Sequence, residues 1–95
     1  EPETLARIEA CIAQFEQSTG HGVYVDSLST RRAGALNFVD LHLHMPGQWS
    51  LAQATQLRLK LESTLLHDVP SARIAMEVLP TGVQTQTEVI EEKAP

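Results

Sequence analysis

The sequence predicts an α+β domain of order αββαβ, with two helices on one face of a three-stranded sheet. Three observations carry this reading. Two stretches have helical apolar spacing, three have a period of two, and glycine or proline separates them. A chain of 95 residues accommodates one core of this size and no second one.

Leu5, Ile8, Ile12 and Phe15 recur at helical spacing, Thr4 can cap the start, and Gly20 with Gly22 ends the pattern, which predicts a helix over 4–18. Val23 and Val25 then alternate with Tyr24 and Asp26. A strand is expected to run from there to about Thr30, with Arg31, Arg32, Ala33 and Gly34 as the turn. The return strand, about Leu36 to Met45, has the clearest alternation. Val39, Leu41, Leu43 and Met45 face one way; Phe38, Asp40, His42 and His44 face the other. Pro46 and Gly47 stop it. Ser50 and Gln53 form a capping-box pattern ahead of Leu51, Ala54, Leu57, Leu61 and Leu65, which share one helical face. Pro70 breaks this helix. Ile74, Met76 and Val78 alternate with Ala75, Glu77 and Leu79 in a third strand that Pro80 closes. The domain is thus expected over 1–80, and the polar, then acidic, residues 81–95 are expected to be a flexible tail.

Composition narrows the functional classes. With 42% hydrophobic and 20% charged residues the chain is an ordinary globular domain. Seven Lys plus Arg against twelve Asp plus Glu give a net charge of −5, which argues against nucleic acid as a partner, because phosphates require clustered cations. No apolar run approaches the roughly 20 residues that span a bilayer. The single Cys11 has no internal disulfide partner, which fits a reducing compartment such as the cytoplasm. The start at Glu1-Pro2, without a methionine, is expected of a piece of a longer protein. Neither a Gly-x-Ser-x-Gly elbow nor a glycine-rich phosphate loop occurs, so an enzyme is not expected.

If both helices cover the face bearing Val23, Val25, Val39, Leu41, Leu43, Met45, Ile74, Met76 and Val78, the opposite face is bare. Alternation assigns to it Asp26, Asp40, His42, His44 and Glu77, beside Leu28, Phe38 and Leu79. Imidazole nitrogen with carboxylate oxygen is a ligand set for zinc and related divalent ions. The ordinary alternative is that these are the solvated positions any half-exposed strand requires. His67 has an explanation in the dipole at a helix C-terminus, His21 in a loop, and Cys11 as a small buried hydrophobe.

The segments Gly22-Val23-Tyr24-Val25-Asp26, Thr30-Arg31-Arg32-Ala33-Gly34, Phe38-Val39-Asp40-Leu41-His42-Leu43, Ser50-Leu51-Ala52-Gln53-Ala54 and Val69-Pro70 through Pro80 resemble the cytoplasmic C-terminal domain of cation diffusion facilitator transporters. Those proteins export zinc, iron, manganese and similar ions in exchange for protons. The likeness covers about residues 5–80. It implies a ferredoxin-like fold similar to that of a copper metallochaperone, a homodimer beneath the membrane, and attachment to the transmembrane domain of the same full-length protein. It also implies metal bound near the dimer interface that draws the two domains together. Carried over by position, the family's ligand pattern keeps Asp26 and His42, has Glu77 where the family has His, and loses the positions at Thr55 and Leu79. A simpler site of His42, Glu77 and Asp26 is left, with His44 in reserve. Exchange of His for Glu shifts such a set toward harder ions such as iron(II) or manganese(II). The rival expectation is a metal-independent dimerisation or protein-interaction domain using Phe38, Leu28 and Leu79.

Overall fold

A computed structural model describes residues 2–83. Five elements follow in the expected order: α1 (Pro2–Ser18), β1 (Tyr24–Ala33), β2 (Leu36–Met45), α2 (Leu51–Asp68) and β3 (Ala72–Pro80). The sheet order is β1-β2-β3, with β1 antiparallel and β3 parallel to the central β2. The central strand has a neighbour on both sides, and its inward residues Val39, Leu41, Leu43 and Met45 are all buried. Onto them pack Ile8, Cys11, Ile12 and Phe15 of α1, Leu61 and Leu65 of α2 with its cap Val69, and Val23 and Ala72 at the starts of the outer strands.

Local chemistry accounts for the element ends. Pro2 opens α1, where a missing N–H costs nothing; the helix therefore begins two residues before the expected Thr4. At α2 the capping box forms as expected: Gln53 N–H donates to Ser50 Oγ at 3.1 Å, and Ser50 N–H donates to Gln53 Oε1 at 2.9 Å. At the outer edge of β1, Val25 N–H donates to the Glu16 carboxylate at 2.8 Å, so the end of α1 satisfies part of that edge. Among the described residues no helix is long and apolar enough to cross a membrane.

The structure corrects four sequence expectations. Strand β1 continues through Arg31 and Arg32 to Ala33, and the turn is Gly34-Ala35, with Gly34 at φ +62. A two-residue hairpin loop needs positive φ at its first position, which glycine supplies without strain. Leu28 does not lie on the bare face. A bulge between Asp26 and Ser29, with Ser27 at φ +54, sets two residues of β1 against one of β2, and Leu28 turns in against the core. Leu51 and Val78 are not core residues: Leu51 is 83% exposed and Val78 38%, because the first turns of α2 lie beyond the enclosed part of the sheet. His44 is not on a solvated position but is 2% exposed. The acidic end of the chain, 84–95, lies outside the described residues, so the expected tail falls there except for Thr81, Gly82 and Val83. Of these, Thr81 N–H donates to the Met45 carbonyl at 2.9 Å.

Candidate metal centre

The bare face carries one cross-strand row of polar groups at the open end of the hairpin. Asp26 of β1 is the register partner of His42 on β2, and His42 is the partner of Glu77 on β3. His44, two residues further on β2, shares that face and pairs with Tyr24. Strands β1 and β2 thus bring Asp26, His42 and His44 together, Glu77 on β3 reaches His42 alone, and Asp40 stands apart opposite Ser29.

His44 is the best fixed of them. Its ring stacks on Tyr24 with centroids 4.4 Å apart and planes inclined by 8°. Its Nδ1 lies 3.2 Å from the Pro80 carbonyl oxygen. The other nitrogen, Nε2, lies 3.1 Å from Asp26 Oδ1. A carbonyl and a carboxylate both only accept, so a neutral imidazole can donate to one of them and not to both, and a cation held at Nε2 would leave the proton to Nδ1. With the proton on Nδ1, Nε2 turns its lone pair to the carboxylate, an arrangement that a cation between the two atoms relieves. His42 approaches the same oxygen less closely, with Nδ1 at 3.7 Å, while its Nε2 lies 3.4 Å from Glu77 Oε1.

These residues fit a divalent cation. Asp26, His42 and His44 each offer one ligand atom, and the three atoms lie within 4.8 Å of one another. Atoms bound to one tetrahedral zinc at about 2.0–2.1 Å are roughly 3.3 Å apart, so the 3.1 and 3.7 Å separations bracket that value. Burial grades from His44, enclosed, through His42, partly covered, to Asp26 and Glu77, which are open. A shallow groove over Asp40, His42, Ala75 and Glu77 opens onto the β2–β3 side of the row.

Sequence reasoning named all four residues but ranked His44 last, because alternation gives the face of a side chain and not what covers it. The residues that position His44, Tyr24 and Pro80, were missed; the missing signal was the strand register, which aligns both with β2. His67 stays apart at the end of α2, 3.4 Å from Asp68 and exposed. Cys11 lies in the core on the far side of the sheet.

Comparison with known proteins agrees with this architecture. The model of the cytoplasmic domain of cation efflux proteins matches residues 1–80. The chain is 27% identical over 79 residues to an uncharacterised transporter of Synechocystis sp., sll1263, and spans about a quarter of its length (83% of this chain, 24% of the transporter). Among solved structures it is similar to CzrB, a proposed zinc transporter, at 32% identity and TM-score 0.74, covering 86% of this chain and 98% of that one. The zinc form of CzrB matches at 30% identity and TM-score 0.74, covering 90% and 93%. The metal-bound C-terminal domain of the CzcD transporter from Thermotoga maritima shares the fold, with 20% identity and TM-score 0.72 over 87% of this chain and 93% of that one. The relatives are transporter domains rather than enzymes, and their fold is ferredoxin-like. From its match over residues 1–80 and its likeness to CzrB, the chain belongs to the cation efflux proteins, as their cytoplasmic domain.

Proposed function

We propose that this domain regulates a divalent metal cation transporter, dimerising with a second copy of itself and sensing metal through Asp26, His42 and His44, with Glu77 beside them. The transmembrane domain of the same protein is its other partner, and zinc, iron or manganese is the ion. The observation that carries the reading is the convergence of three ligand atoms within 4.8 Å, one of them on a histidine whose far nitrogen is already committed to a carbonyl. Outer hydrogen bonds of that kind orient metal-binding imidazoles.

The proposed coupling is electrostatic. Asp26 is partly and Glu77 mostly open to solvent, and two-fold symmetry doubles every carboxylate on this face. Carboxylates ~5 Å apart repel by about 1 kcal/mol in water and several-fold more where water is excluded. A bound cation would supply the opposing charge. The resulting preference for a closed pair over an open one falls in the usual range of allosteric coupling, about 1–3 kcal/mol.

Thermal unfolding with zinc, iron(II) under anaerobic conditions and manganese(II) tests the reading. An ion present at about a hundredfold its Kd adds about 2.7 kcal/mol, which for a domain of this size raises Tm by roughly 10–20 °C. His42→Ala is expected to remove most of that rise without lowering the metal-free Tm much, and His67→Ala to keep it. Equal stabilisation of the parent chain and His42→Ala by all three ions would favour the metal-independent interaction domain instead.

A further inference from the structure

We infer that Glu77 acts on the metal site from outside, as the carboxylate that orients His42, rather than as a ligand beside it. The inference rests on Asp26, His42 and His44 being the ligands. In the row Asp26–His42–Glu77 the imidazole stands between two carboxylates on opposite neighbouring strands. Its two nitrogens point away from each other, Nδ1 toward Asp26 Oδ1 at 3.7 Å and Nε2 toward Glu77 Oε1 at 3.4 Å. A proton on Nε2, on the side of Glu77, would leave the Nδ1 lone pair on the side where Asp26 and the His44 nitrogen converge.

His44 repeats the device with its nitrogens exchanged. Its Nδ1–H is held by the Pro80 carbonyl at 3.2 Å, and its Nε2 turns inward to Asp26 at 3.1 Å. Both rings therefore address the same carboxylate oxygen, His44 with the Pro80 carbonyl behind it and His42 with the Glu77 carboxylate 3.4 Å behind it. Asp26, His42 and His44 gather within 4.8 Å, while Glu77 approaches His42 at the nitrogen that faces away from that cluster. An acceptor behind a ligating imidazole fixes its tautomer and raises its basicity, and loss of such a partner weakens metal binding 10–100-fold.

Zinc alone is the probe, on the 95-residue chain. In the zinc-loaded protein, long-range proton–nitrogen imidazole spectra are expected to show zinc on Nδ1 and a proton on Nε2 of His42, with the reverse for His44. Glu77→Ala should weaken zinc binding 10–100-fold, and Glu77→Gln, which keeps an acceptor oxygen, should weaken it less. X-ray absorption at the zinc edge should report the same first shell in the parent and both variants. Zinc on Nε2 of His42 would overturn the inference, as would an oxygen missing from the shell of Glu77→Ala. A parent chain that takes up no zinc would overturn the underlying ligand reading as well, and is recognised by the parent and His42→Ala giving the same flat titration.

Discussion

Cys11 shows how much a single side chain can depend on a distant part of the sequence. Helical spacing alone marks it as a small buried hydrophobe, and at 4% exposure it is one. What spacing could not show is Asp68, from the far end of α2. Burial chiefly, and then the hydrogen bond to Asp68 and its negative charge, push the Cys11 thiol up to about 11. At neutral pH the folded thiol is therefore expected to react with a thiol reagent no faster than the protein unfolds. An ordinary thiol ionises near 8.5. Between about pH 8.5 and 11 the unfolded chain has lost a proton that the native state keeps, so stability falls as pH rises through that window. Urea midpoints at pH 7, 9 and 10 should show this decline, and Cys11→Ala should lack that component of it. A parallel decline in both chains would assign the effect to other groups. Ser27 is a second case hidden from pattern reading: its φ of +54 follows from the bulge. Ser27→Gly should relieve left-handed strain and leave stability equal or up to about 1 kcal/mol higher, by urea denaturation, where an ordinary strand glycine lowers it.

At the scale of elements, legibility follows the physics of each pattern. The Ser50–Gln53 capping box is local chemistry and was readable in full; the three-residue spacing that suggests it is the spacing that forms it. The alternation of β2 was equally clear, because a central strand with one covered face must alternate. Edge strand β1 was half readable. The bulge resets its alternation after Asp26, so Leu28 seemed to face out and Arg31 and Arg32 seemed to belong to the turn. For α2, periodicity identified the inward stripe but not how far along the helix the core extends. Leu61 and Leu65 are fully enclosed, whereas Leu51 on the same stripe stands in solvent. The expected consequences differ accordingly. Leu61→Ala or Leu65→Ala should cost 2–5 kcal/mol, Ser50→Ala about 1 kcal/mol, and Leu51→Ala about 0.5 kcal/mol or less. Denaturant midpoints for the four variants check the order; a Leu51→Ala cost equal to that of Leu61→Ala would mean that another surface covers the start of α2 in solution.

For the whole molecule, the proposed function makes charge and assembly one question. Each chain brings a net charge of −5, so two copies repel at long range and meet only if apolar contact outweighs that repulsion. The open sheet face offers Phe38 and Leu79 beside its carboxylates, and Leu51 and Val78 lie uncovered near the start of α2. Sedimentation is therefore expected to give twice the chain mass at tens of micromolar protein, with or without a chelator. Metal should change the separation of the two copies rather than their number. A spin label on the exposed helix position Gln56 of each copy measures that separation. Screening by salt acts over about 10 Å at 0.1 M and 30 Å at 0.01 M, so raising salt in a metal-free sample should draw the labels part of the way together. Zinc at low salt should draw them further, because ligation adds bonds to neutralisation. His42→Ala separates the two effects: it should keep the response to salt and lose the response to zinc. A parent chain whose label distance ignores zinc would leave the domain a dimer but not a sensor, and a purely monomeric chain would remove the dimer itself.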